Sequence, residues 1–393
     1  IFIIPSIYPY NENPSSVIFV REQSLIFSKL YPELNLFINL YGQEQFKIPI
    51  SKPNIALKRF FNYLKNNTKK VTFINNNFIE IYNPIIQISN KFFNNFNRII
   101  DATIENYQFV EKYFGKINLI HSHFSYPAGF LAMQLSKIFK TKFIITEHMG
   151  PFPFPEFLKN NILDNRIIQV LDNANRIIAV SKYQKLQIET FGFKNVVYIP
   201  NYIDETIFCP LKTENNNIFT FFTLCLMSEQ KGIDTLLKAI KIIKGFNLNV
   251  KFKIGGYGPF LKKYQDYSKT LNIENMVEWL GPLNQKQKII EYQKCDCFVL
   301  PSRHESFGIV YIEALACGKP IIATKCGGPE EIVNNSNGIL IEIDDVKGLA
   351  DALKTMILNK NNFNSEIIRQ DFLERYSSKI ICKKLFNLYK SLN

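Results

Sequence analysis

Short apolar runs rich in Ile, Val and Phe recur along the chain and alternate with longer stretches of helical period. In the first half, Ile1 to Ile4, Leu36 to Leu40, Leu119 to His121, Lys142 to Thr146 and Arg176 to Val180 read as strands. After Asn201 the rhythm restarts, with Thr220 to Leu226, Asn249 to Ile254, Val277 to Leu280, Cys297 to Leu300 and Pro320 to Thr324 as a second set. Strands that alternate with helices fold as a parallel sheet with crossover helices, so two α/β domains in tandem are predicted. Between the sets, Ile199-Pro200-Asn201-Tyr202-Ile203-Asp204, Pro210 and the polar Thr213 to Asn217 read as a linker, and the boundary is placed near residue 205. Ligands of open parallel sheets bind outside the carboxyl ends of the strands. The expected substrate site is therefore a cleft between two facing domains.

Length agrees with this division, because 393 residues exceed the size at which one core keeps growing. With 46% hydrophobic and 21% charged residues, the chain has the composition of a folded globular protein. No apolar run approaches the roughly 20 residues that span a bilayer. Ile1 to Ile4 followed by Pro5 lacks a basic leader and a long apolar stretch, so it reads as a buried first strand and not as a signal peptide, and the missing initiator Met points to a few absent residues. The seven cysteines, odd in number, lie in the second half without repeated CxxC pairing, as expected of reduced thiols in a cytoplasmic protein. Cys295 and Cys297 share one face of a strand and read as buried thiols rather than a metal pair.

Charge changes the picture in one region. Of the formal +13, more than half lies between Lys47 and Lys116, where eleven Lys/Arg face four Asp/Glu. Within it, Lys58 to Lys70 interleaves five cations with Phe60, Phe61, Tyr63 and Leu64 and holds no acid. Two readings fit: a helix lying on an anionic membrane surface, or a solvated helix with a packed aromatic face. No nucleic-acid motif accompanies the charge, so nucleic acid is not an expected partner.

The densest chemistry lies in residues 301 to 332, PSRHESFGIVYIEALACGKPIIATKCGGPEEI. Ser306 is a suitable N-cap, Phe307 to Cys317 is helix-forming, and Gly318 and Pro320 end the helix. Glu313 sits among Ile, Val, Tyr, Leu and Ala, where a buried carboxylate is costly unless something binds it. Glu305 lies eight residues earlier, which places the two backbones about 12 Å apart along a helix axis. Paired carboxyls of a hydrolase stand only roughly 5 to 9.5 Å apart, so these acids suit two ends of one elongated ligand. Between them the amides of Phe307, Gly308 and Ile309, at the positive end of a helix dipole, form a candidate diphosphate site.

The pattern PSxxExFGxxxxEAxAxGxPxxA resembles the signature of family 4 retaining glycosyltransferases, whose fold is GT-B: two Rossmann-like domains with parallel sheets. The resemblance implies that Glu313 holds the ribose hydroxyls of a nucleotide-sugar donor, that Glu305 contacts the donor sugar, and that the amides around Phe307 and Gly308 hold its oxygens. It extends over essentially the whole chain. Ile199-Pro200-Asn201 with Asp204, Phe208 and Pro210 resembles the interdomain element, with Tyr202 where Gly is usual. Gly256 and Gly258 fall in a GxGP-like loop and Pro282 in the turn that usually meets the base, which implies that all three bind the donor. Lys231 fits the lysine of the GRxxxxKG element that faces the pyrophosphate, while the arginine position reads Leu226. His123, in His121-Ser122-His123, is implied to face the donor sugar, and His148, after Thr146-Glu147, to lie on the acceptor side. A metal pair at His121 and His123 and a core histidine at His148 are the residue-level alternatives. Asn13 to Gln23 resembles the first loop and helix of some bacterial members, with Val17 where Gly stands; Val is not expected to adopt a positive φ. Phe372 to Leu392 resembles the terminal helix that returns to the first domain.

No Asp-x-Asp triplet occurs, so a metal-independent reaction without cofactor is expected, with Lys231 and the helix amides meeting the leaving-group charge. Domains are expected at residues 1–204 on the acceptor side and 205–371 for the donor, with 372–393 returning to the first. The expected activity is transfer from a UDP- or GDP-sugar to a hydroxyl of a glycan or lipid-linked acceptor in cell-surface polysaccharide or lipopolysaccharide synthesis. The protein is expected in the cytoplasm, peripherally at the inner membrane face. A catalytically silent GT-B binding protein and a nucleotide-sugar epimerase are the alternatives.

Overall fold

The computed structural model describes residues 1–10, 17–43, 45–49, 52–89, 95–211 and 218–392. The chain divides into two units. One comprises Ile1–Val180, Lys185–Ile199 and the chain from Cys382 on; the other comprises Ser181–Gln184 and Pro200–Ile381. The division falls after Ile199, a few residues before the expected boundary, and residues 213–217 of the expected linker lie outside the described residues.

In the first unit, eight strands form the main sheet: β1 (Phe2–Pro5), β2 (Leu36–Leu40), β3 (Lys70–Asn75), β4 (Phe78–Tyr82), β5 (Ile120–His123), β6 (Phe143–Glu147), β7 (Arg176–Ala179) and β8 (Val196–Tyr198), in the order β8-β7-β6-β5-β1-β2-β4-β3. All pairs are parallel except β3 with β4. The apolar runs predicted five of these strands. The β3–β4 hairpin and the short β8 were not foreseen; no residue of β3 is buried and polar residues interrupt it.

The second unit carries a six-stranded parallel sheet of β9 (Phe219–Leu226), β10 (Val250–Tyr257), β11 (Val277–Gly281), β12 (Cys297–Leu300), β13 (Ile321–Thr324) and β14 (Gly338–Ile341). Its order, β11-β10-β9-β12-β13-β14, is that of a doubly wound sheet, with a topological switch point between β9 and β12. The first sheet switches likewise between β1 and β5. These are the places at which such sheets bind ligands.

The carboxyl-terminal segment forms two helices. Ser365–Tyr376 stays with the second unit, and only the part of Ser378–Leu392 from Cys382 onward joins the first. All seven cysteines are free thiols, with Cys295 and Cys297 buried. No helix among the described residues is long and apolar enough to cross a membrane.

Candidate functional site

At the switch point of the second unit, β9 ends at Leu226 and β12 at Leu300. Beyond β9 a single turn, Glu229–Lys231, leads to Gly232, whose left-handed φ of 63° starts the helix Ile233–Lys244. A Cβ on Gly232 would lie 2.0 Å from the Pro301 carbonyl oxygen, so the absence of a side chain lets this turn lie against the residue following β12. That contact sets up the central feature of the site. Lys231 Nζ donates to Glu305 Oε2 at 2.6 Å, with side-chain exposures of 19% and 17%. Burial opposes the ammonium charge, but attraction and hydrogen bonding from Glu305 outweigh it, so the Lys231 pKa is raised and the pair is ionic.

Backbone bonds hold Glu305 in place. Its amide donates to the Cys326 carbonyl at 3.3 Å, and the Gly328 amide donates to its carbonyl at 2.8 Å. Two cations were expected at this point. Leu226, at the arginine position, is 51% exposed. Arg303, the nearest candidate in sequence, is committed elsewhere: it pairs with Asp234 at 2.8 Å and with Asp344, and these bonds raise its pKa.

The helix that follows is shorter than expected, running from Ile309 to Ala316. Ser306 is not its cap. Gly308 occupies that position with φ 96°, a left-handed conformation that no helical residue adopts, so Phe307 and Gly308 precede the first turn and the helix amides begin at Ile309. A Cβ on Gly308 would strike the Tyr311 ring at 2.3 Å and approach Glu305 Cγ at 3.2 Å. Phe307 is buried edge-on against Tyr376, so only its backbone can serve a ligand.

Glu313 is 4% exposed, and its partner is one the sequence did not reveal: Lys288 Nζ, from the helix Gln285–Lys294, donates to Oε1 at 2.6 Å. The two glycines of the GxGP-like loop lie close to the end of β9. β10 runs through Gly256 to Tyr257, and Cβ atoms on Gly256 and Gly258 would lie 1.9 Å from the Cys225 carbonyl oxygen and 2.6 Å from that of Met227. Close packing on the end of β9 accounts for both. Pro282, exposed, follows Gly281 at the half-buried end of β11.

In the first unit, β5 and β6 end in three histidines. His121 is buried with both ring nitrogens engaged, by the Tyr389 hydroxyl and by Thr146 Oγ1, each at 2.7 Å. It is a satisfied core histidine. His123 Nδ1 and His148 Nε2 stand 3.0 Å apart with rings 8° from parallel, so one ring donates its N–H to the other. Burial holds His123 down to about 3, and burial with the neighbouring rings pulls His121 and His148 well below the usual imidazole range. All three are neutral at pH 7. Glu147, buried beneath them, accepts from Ser125 Oγ at 2.6 Å and from the amides of Ser125, His148 and Met149; burial nonetheless raises its pKa. Among the described residues no group of three or more His, Cys, Asp or Glu is arranged to hold a metal ion.

One expectation is reversed. Val17 does adopt the left-handed region, with φ 47° and ψ 35°, and serves as N-cap of the helix Ile18–Leu30. The position therefore needs the conformation that Gly usually supplies, and Val accepts it at a steric cost. Residues 13–16 of the same loop lie outside the described residues.

Known proteins resemble the chain in sequence and in fold. The family model described as "Glycosyl transferases group 1" matches residues 208–371, and that described as "Glycosyltransferase Family 4" matches residues 73–206. An uncharacterized glycosyltransferase of Methanocaldococcus jannaschii is 32% identical over 246 residues, covering 62% of this chain and 66% of its own length. The chain thus spans slightly under two thirds of that relative. Among solved structures, a sucrose-phosphate synthase from Thermosynechococcus elongatus matches with TM-score 0.74 and 18% identity, over 100% of this chain and 98% of its own. HepE from Anabaena, solved with UDP and glucose, matches with TM-score 0.71 and 17% identity over 99% of both chains. At these identities the likeness is one of fold, GT-B in both cases.

Proposed function

We propose that this chain, which belongs to the family 4 glycosyltransferases of GT-B fold, is a retaining transferase that moves a sugar from a UDP- or GDP-sugar to a hydroxyl of a glycan or lipid-linked acceptor. The Lys231–Glu305 pair at the switch point carries the reading. An ammonium fixed there by a carboxylate is positioned to meet the charge that develops on a departing nucleoside diphosphate, without rearrangement in the reaction. Glu305, already bonded to Lys231, serves to place the sugar and not as a general base. The acceptor proton then goes to the leaving phosphate oxygen as attack occurs on the face the phosphate leaves, which retains configuration. Glu313 takes the ribose, and the Ile309 amide with the backbone at Phe307 and Gly308 takes phosphate or sugar oxygens. Gly256, Gly258 and Pro282 shape the surrounding backbone. His123 is assigned to the transferred sugar and His148 to the acceptor side by resemblance. No metal has a part in this scheme.

One observation favours another reading: Leu226 in place of a cation suits a silent binding protein. A nucleotide-sugar epimerase would share the fold, but Glu305 and Glu313 in their sequence context argue against it. Release of nucleoside diphosphate, measured across UDP- and GDP-sugars with candidate acceptors in the presence of EDTA, separates them. Acceptor-dependent release with an α-linked product from an α-linked donor is expected; no turnover with any pair would leave the silent reading, and an inverted product would sink retention.

We also place the reaction at the cytoplasmic face of a membrane, in cell-surface polysaccharide or glycolipid synthesis. The helix Pro53–Asn66 has no buried residue, and Ile55, Leu57, Phe60, Phe61 and Leu64 are 41% to 59% exposed beside its cations. Such a basic and apolar surface suits anionic lipid. The helix carries Lys58, Arg59 and Lys65, while Lys69 follows it and Lys70 opens β3; each cation contributes about 1 kcal/mol at such a surface, so changing all five to Gln should abolish sedimentation with phosphatidylglycerol vesicles. Undiminished sedimentation would reject the membrane site.

A further inference from the structure

The Lys288–Glu313 pair has more than a structural use. Glu313 lies in an otherwise apolar helix, and one oxygen of its carboxylate accepts from Lys288. Lys288 reaches it from the second turn of the helix Gln285–Lys294, whose start is fixed by a reciprocal cap between Asn284 and Gln287, and its ammonium also stands 5.0 Å over the Phe208 ring. With side-chain exposures of 15% and 5%, neither charge is open to bulk water, yet the lysine is the more accessible of the two. One turn further along the same helix, the fully buried Tyr292 hydroxyl has no hydrogen-bond partner. Burial, and after it the Glu313 charge, holds that phenol un-ionised, so it remains a donor beside the carboxylate.

A carboxylate accepts and an ammonium donates, whereas each hydroxyl of a vicinal diol does both. A diol that meets this pair can donate to Glu313 and accept from Lys288 with no polar atom left unmatched. A sugar lacking one hydroxyl leaves one side of the pair facing nothing. We infer that Lys288 is a specificity-determining residue that, with Glu313, forms a two-sided clamp for the ribose diol of the donor and selects ribonucleotides over deoxyribonucleotides. This rests on the assignment of Glu313 to the ribose.

Binding of UDP and GDP, each with its 2′-deoxy and 3′-deoxy form, is to be measured by calorimetry on the wild-type chain and on Lys288→Met and Lys288→Arg variants. A lost charge-assisted hydrogen bond weakens binding by roughly tenfold to hundredfold. The Met variant should lose about that much for the ribo form and under about threefold for the deoxy forms, so the preference collapses, while Arg keeps it. A merely structural Lys288 would lower thermal stability and all affinities together with the ratio intact, and that result overturns the inference. If the Met variant does not fold, Lys288→Gln, which still donates to Glu313, is expected to lower the ratio by a smaller factor; an unchanged ratio there overturns it equally. Wild-type protein that binds nucleoside diphosphates without preferring ribose refutes the Glu313 assignment first, and protein that binds none refutes the donor reading itself.

Discussion

Replacing Lys231 by Met is expected to reduce kcat/KM by two to three orders of magnitude while the protein stays folded. Removing one preorganised donor from a developing charge costs about 10²- to 10³-fold. The upper part of that range is expected here because the usual second cation is absent: Leu226 holds its position, and Arg303 is tied to Asp234 and Asp344. The variant also leaves the Glu305 carboxylate, 17% exposed, without its cation. Its negative charge then opposes the donor diphosphate, so KM should rise along with the fall in kcat. Glu305→Gln in the Met background tests this second effect, since neutralising the carboxylate should recover part of the KM loss but none of the kcat loss. A Lys231→Met enzyme within tenfold of wild type would remove the lysine from the chemistry, and the pair would then be only a bridge between two loops.

What could be read from the sequence follows what side chains do when buried. Ten strands were visible as apolar runs because parallel strands covered on both faces cannot afford polar residues. The β3–β4 hairpin escaped because β3 lies at the edge, with no residue buried. Glu313 was legible as a carboxylate needing a partner, yet Lys288 was not, since the pair joins two helices 25 residues apart and nothing local marks it. The Lys231–Glu305 bond was hidden in the same way, across 74 residues. Glycines were legible as positions but not by their neighbours. Gly308 was expected within a first turn and instead caps the helix, while Gly256 and Gly258 serve the packing of β10 on β9. A glycine marks a place where the backbone comes close or turns left, but not which neighbour requires it.

Gly232→Ala is expected to damage both stability and activity although it removes no functional group. Two costs add. Alanine in the left-handed region costs roughly 1 to 2 kcal/mol. Its Cβ would also stand 2.0 Å from the Pro301 oxygen and 3.0 Å from the Pro301 carbon, both backbone atoms that cannot rotate away. Either the turn Glu229–Lys231 lifts or the segment after β12 moves, and each displaces Lys231 from Glu305. Gly192→Ala supplies the comparison, because Gly192 has φ 93° with nothing within 4 Å of its Cβ position and bears only the first cost. A loss of about 1 to 2 kcal/mol without change in kcat/KM is expected for Gly192→Ala. For Gly232→Ala the expected loss is about 3 kcal/mol or more, roughly 6 to 12 °C in Tm, with kcat/KM falling nearly as far as in Lys231→Met. Full activity in Gly232→Ala would mean that the turn can leave Pro301 without disturbing the ion pair. Equal effects of the two alanines would mean that conformation alone, and not contact with Pro301, requires the glycine that follows Lys231.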